Sequence, residues 1–281
     1  MAISLKILIT LFFCSVLTAE EVKLNFTSNE KVILHSETQS SAQVKLGETP
    51  FSTFSWEKVA MKIIPISSDP LQFDAELTEY VTDVKAGGKE IHFDVKEPST
   101  HFLYAELAAL KAPIRLELIS GEKGIQALVD ESPTLITTLL SSKKSKLDQM
   151  LFGRLREWLS LANVPLEKGK KIEFNLESKG VLPFKGKLIY VITDINDKEI
   201  HAHITYLVER QKAVGDFPVE TEGKSTVSTM TKMEGDAVWM RENSWIFNID
   251  MKGTYQSSIT KGNIELTTTM DMTMREHTLK Y

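Results

Sequence analysis

Ile264-Glu265-Leu266-Thr267-Thr268-Thr269-Met270-Asp271-Met272-Thr273-Met274-Arg275-Glu276 decides the fold class. Met270, Met272 and Met274 fall on one side of an extended chain, and Asp271, Thr273 and Arg275 fall on the other. Alternation at period two is the signature of a strand with one buried face. Trp245 to Ile259 just before it reads the same way, and Thr260-Lys261-Gly262-Asn263 supplies the turn between the two.

Working back toward the amino terminus, the pattern repeats. Ile172–Ser178, Lys185–Asp194, Lys198–Arg210, Lys224–Met233 and Ala237–Arg241 read as strands. Earlier still come Val22–His35, Trp56–Ile64, Phe73–Val84, Glu90–Val95, Ile114–Ile119 and Gly124–Val129. Ala86-Gly87-Gly88 and Ser120-Gly121-Glu122-Lys123 join two of these pairs as hairpins.

One segment departs from the pattern. Ser132-Pro133 fits a helix start, and apolar residues then recur at helical spacing through Leu135, Ile136, Leu139, Leu140, Leu147, Met150, Leu151, Leu155, Trp158 and Leu159. The spacing predicts one long amphipathic helix, or two shorter ones, ending at Asn163-Val164-Pro165. A shorter helical stretch is expected over His101–Leu110.

Met1 to Lys6 followed by the apolar run Ile7–Leu17 reads as a signal peptide, with cleavage after Ala19 ahead of Glu20 and Glu21. The run is too short for a membrane anchor, so the mature chain is expected to keep no transmembrane segment. Cys14 is the only cysteine and would leave with the leader. The remaining 260 or so residues must then be stabilised by burial instead of disulfides. A formal charge of −5 argues against a nucleic-acid surface. The basic run Lys143-Lys144-Ser145-Lys146 is diluted by Asp148 and Glu157 and reads as a solvated face.

The two halves echo one another. Tyr80-Val81-Thr82-Asp83-Val84 followed by Lys89-Glu90-Ile91-His92 can be laid on Tyr190–Ile195 followed by Lys198-Glu199-Ile200-His201. The organisation expected is a signal peptide (1–19), a first β-rich repeat (20–131), a helical segment (132–164) and a second β-rich repeat (165–281). With its repeated turn motifs and the Met270–Met274 strand, the chain resembles an uncharacterised family of bacterial envelope proteins known only as a domain of unknown function. That resemblance implies an exported β-repeat protein and brings no catalytic residues. At the level of fold, the layout is also similar to periplasmic lipoprotein carriers, in which a helix lies over an open barrel.

Several chemistries find no support. The mature chain has no cysteine nucleophile, no Gly-x-Ser-x-Gly elbow and no phosphate-binding glycine loop. His201 and His203 share one strand face and are the best metal lead, with His92 a partner if the halves face each other. Exposed strand histidines beside Lys198 and Glu199 explain them more simply. Met270, Met272 and Met274 have the softness for Cu(I), yet with Met230, Met233, Met240 and Met251 on other strands they read better as an adaptable apolar surface.

The fold expected is mainly β, a β-rich α+β protein. It has two similar antiparallel curved sheets or half-barrels with one long amphipathic helix between them. The function expected is non-enzymatic and needs no cofactor: an exported binding or carrier module for an apolar ligand such as a lipid, acyl chain or peptide. Met270, Met272, Met274, Leu151, Leu155 and Trp158 would face that ligand. A structural role, docking on another envelope protein, is the alternative, and a hydrolase with scattered carboxylates ranks below both.

Overall fold

The computed structural model describes residues 22–26, 30–46, 49–69, 71–97, 113–119, 124–127, 159, 161–162, 164–178, 184–214, 225–261 and 264–281. Six strands come from the first part of the chain: β1 (Val32–Leu46), β2 (Thr49–Ser68), β3 (Leu71–Ala86), β4 (Lys89–Asp94), β5 (Ile114–Ile119) and β6 (Gly124–Ala127). Six follow in the second: β7 (Lys171–Ser178), β8 (Phe184–Ile195), β9 (Glu199–Val214), β10 (Ser225–Met240), β11 (Phe247–Lys261) and β12 (Ile264–Lys280).

They form one antiparallel sheet in the order β6-β5-β3-β2-β1-β12-β11-β10-β9-β8-β7, with β4 paired to the far end of β3. The expectation of two sheets is therefore corrected. β1 and β12 pair over their whole shared length, from Val32 opposite Lys280 to Leu46 opposite Leu266, and this seam fuses the halves into a single surface. The expectation of a long helix between sheets is corrected as well, since no long helix occurs among the described residues. Residues 132–158, including Leu151, Leu155 and Trp158, lie outside the described residues, as do 101–110 and the leader 1–19. The part of the expected helix that is described ends in a turn, with the Ala162 N–H donating to the Leu159 carbonyl at 3.0 Å.

Alternation along the strands puts one face inward. Val32 and Leu34 on β1, Val59, Met61 and Ile63 on β2, Ile249 and Met251 on β11, and Ile200, Ala202 and Ile204 on β9 are all buried in one cluster. The opposite face carries cross-strand ion pairs, among them Lys58–Glu79 at 3.0 Å and Arg275–Asp250 at 3.4 Å.

The sheet rolls up. Trp245, in the connection from β10 to β11, packs edge-on against Phe73 of β3 with ring centroids 5.3 Å apart. Four strand-to-strand steps separate β11 from β3, about 19 Å across a flat sheet at roughly 4.8 Å per step. Only curvature closes that gap. Twist supplies part of the curvature, and glycines at Gly235 and Gly253 supply more. A Cβ on Gly253 would collide with the Lys232 carbonyl, and one on Gly235 with the Asp250 carbonyl, so β10 and β11 approach more closely than side chains on that face allow.

One end of the roll is packed. There the extended segment 22–26 crosses, held by the Ser244 N–H on the Asn25 carbonyl at 2.7 Å and by the Leu166 N–H on the Val22 carbonyl at 2.8 Å. It brings Leu24 and Phe26 into the core, where Leu159, Leu161 and Leu166 also sit. Phe26 meets Trp245 edge-on at 5.1 Å. Thr278 secures the same corner, its hydroxyl donating to the Trp245 carbonyl at 2.6 Å and accepting from the Phe247 N–H at 2.8 Å.

Candidate functional site

Burial thins toward the other end of the roll, where β1 and β3 end and β2 and β4 begin. Met270, Met272 and Met274 stand there on the inward face of β12, each only half-buried, while Asp271, Thr273 and Arg275 between them are exposed. The three thioethers therefore share the face that their spacing predicts. Met272 and Met274 pack against the main core, which also contains Met233 and Met251.

Register shows what flanks the methionines. Across β11, Met274 is opposite Met251, Met272 is opposite Gly253, and Met270 is opposite Tyr255. Across β1, the same residues are opposite Thr38, Ser40 and Ala42. Gly253 has no side chain beside Met272, and the backbone of Lys232 and Met233 on β10 closes up against it instead. Further out on the inward face, Phe51 is 40% exposed and Ile91 is 56% exposed. The inner face here is a trough of half-buried thioethers with Thr38 and Ser40 beside them on β1.

A polar strip borders the trough on the β1–β2–β3 side. Tyr80 donates its hydroxyl to Glu57 at 2.9 Å, the Ser36 hydroxyl donates to the fully buried Glu276 at 3.0 Å, and the Ser40 and Ser55 hydroxyls share a hydrogen at 2.6 Å. A buried carboxylate is costly without hydrogen bonds, and Ser36 supplies one to Oε1 of Glu276. The period-two pattern could not single it out, because serines and a glutamate inside a strand look like outward positions.

The histidines lie elsewhere. His201 and His203 are on the outer face of β9, as their spacing predicts, but each has a carboxylate neighbour. His201 meets Glu199 at 2.9 Å, and His203 meets Asp236 of β10 at 3.0 Å. His92 is on β4, 2.6 Å from Asp83, which holds its imidazole pKa above the ordinary value. The sheet order puts β4 and β9 on opposite sides of the seam, so His92 does not join the other two. Among the described residues no three His, Cys, Asp or Glu side chains gather as a metal site. The echoing motifs do share a register: Asp83 is opposite His92 in β3–β4, and Asp194 is opposite His201 in β8–β9.

A shallow outer cleft of about 340 Å³ lies at the β2–β3–β4 corner, lined by Phe54, Lys85, Gly87, Gly88 and Lys89 among others. Lys85 is engaged by Glu90 at 2.9 Å, so its charge is already answered.

No family model matches the chain, and no curated protein matches it. Among solved structures, OpdQ of Pseudomonas aeruginosa aligns over 89% of this chain and 99% of its own, at 4% identity and a TM-score of 0.20. OpdK of the same organism, solved with vanillate, aligns over 92% and 100%, at 5% identity and a TM-score of 0.17. A likeness at that level carries no argument about fold or function.

Proposed function

We propose that this chain is an exported, non-enzymatic carrier whose inner trough takes an apolar ligand such as an acyl chain. The leader-like residues 1–19 support export, and the observation that carries ligand binding is the half-open methionine face of β12. A row of thioethers adapts its shape to flexible hydrocarbon at small cost, because each side chain has three soft torsions. Apolar pockets with a few polar groups at one border suit ligands of mixed character, and the Ser36–Glu276 and Tyr80–Glu57 strip provides such a border.

The outer wall favours water over lipid around it. Lys58, Glu79, Lys62, Glu76, Asp250 and Arg275 all stand on that wall in ion pairs. A strand crossing a bilayer would hold its cations against hydrocarbon at about 2–4 kcal/mol each near the midplane. With charge outside and hydrocarbon inside, the sheet is arranged to keep an apolar ligand away from water.

Titration with a fluorescent fatty acid tests the reading. Saturable uptake is expected, weakened at least tenfold by Met272→Glu on the inner face and unchanged by Thr273→Glu on the outer face. Absence of uptake, or equal loss in both variants, would overturn it.

A further inference from the structure

The seam between the two halves carries a feature independent of the trough. His35 of β1 is directly opposite His277 of β12 on the outer face. Their rings lie 5.2 Å apart between centroids and are inclined by 18°. We propose that this cross-strand pair is a two-imidazole docking site for a borderline divalent transition metal, Cu²⁺, Ni²⁺ or Zn²⁺, which staples the seam when bound.

Imidazole is the favoured side-chain ligand for these ions. Bonds of about 2.0–2.1 Å place two nitrogens on one ion at roughly 3 Å from each other. Rotation about the terminal torsion of each histidine, a broad and shallow degree of freedom, turns ring nitrogens toward a common point with no change in the backbone. The strand register has already fixed the two rings as neighbours, so little ordering remains to be done on binding. Ala60, opposite His35 on β2, keeps that side of the pair small. Water fills the remaining coordination positions.

The surrounding charges are mutually satisfied. Lys58 is paired with Glu79 at 3.0 Å, Lys62 with Glu76 at 3.8 Å, and Arg275 with Asp250 at 3.4 Å. Glu37 accepts from the Trp56 indole at 2.7 Å and from Gln39 at 2.9 Å. A metal ligand must be the neutral imidazole. Burial, the neighbouring His277 and Lys58 all hold the His35 pKa below its ordinary value, which keeps the ring in that form near neutral pH. His92, His201 and His203 each have a ring nitrogen against a carboxylate instead of against a second imidazole.

The test is calorimetric titration of the purified full chain with Cu²⁺ and separately with Ni²⁺, free of chelating tags, with Cu²⁺ electron paramagnetic resonance as a second readout. One bound ion per chain is expected, with coupling to two nitrogens. His277→Asn, at an exposed position that leaves folding intact, should weaken binding at least tenfold and reduce the coupling to one nitrogen or none. His201→Asn and His203→Asn should leave both unchanged. No binding of either ion, binding unaffected by His277→Asn, or binding abolished by His201→Asn or His203→Asn would overturn the proposal. None of these outcomes bears on fatty-acid uptake, so the two readings stand or fall separately.

Discussion

Replacing Trp245 with alanine tests the rolled sheet most directly. The side chain is 1% exposed and meets Phe26 at 5.1 Å and Phe73 at 5.3 Å, both edge-on. Truncating a buried tryptophan to alanine costs about 3–5 kcal/mol. Losing two edge-to-face contacts adds part of a further 0.5–1.5 kcal/mol each, so about 4–6 kcal/mol is expected. Trp245→Phe should cost only about 1–2 kcal/mol, because it keeps an aromatic ring against Phe73 and its indole N–H has no acceptor to strand among the described residues. Urea unfolding followed by circular dichroism gives both values. Hydrogen exchange then locates the damage. If the roll is held as described, Trp245→Ala accelerates exchange in β3 as well as in β11, although four strand steps separate them in the sheet. A cost below about 1 kcal/mol, or faster exchange confined to the β10–β11 connection, would show that Trp245 does not hold β3 against β11.

Three further outcomes follow from named contacts. Gly253→Ala forces a methyl into the Lys232 carbonyl and the backbone of Met233; a loss of about 3 kcal/mol is expected by urea denaturation, with Gly87→Ala, in open space at φ +57°, costing nearer 1 kcal/mol. Thr278→Val should cost about 2–4 kcal/mol in the same assay, because it strands the buried Trp245 carbonyl and Phe247 N–H together. The lowered His35 pKa makes the unfolded chain bind more protons than the folded one between the folded value and the ordinary value near 6.5. Stability should therefore fall as pH drops below about 6.5 with chelator present, and His35→Asn should remove that part of the slope in urea midpoints measured across the range.

Strands whose two faces differ in chemistry were legible. β5 occupies Ile114–Ile119, the bounds its pattern predicts, and β12 carries Met270, Met272 and Met274 on one face as expected. The middle of β1 was not, because Ser36 and Ser40 point inward while Gln39 and Ser41 point outward, and apolar alternation resumes only at Ala42, Val44 and Leu46. Missing it concealed the seam with β12, and two sheets were expected where one exists. Gly235 misled in another way. It resembles a turn between two strands, but β10 continues through it to Met240, and the residue is small because Asp250 of the neighbouring strand leaves no room for a Cβ. Of the candidate site, the methionine face was readable from spacing alone. The bordering Glu57, Tyr80 and Glu276 come from three strands and become neighbours only through long-range register.

The β1–β12 seam has a temporal consequence. The earliest strand of the sheet waits for the latest one, so the seam cannot be assembled until β12 has been synthesised. Contacts this distant in sequence close slowly. The hairpins on either side, β2 with β3 and β8 through β12, pair strands adjacent in sequence and have no such wait.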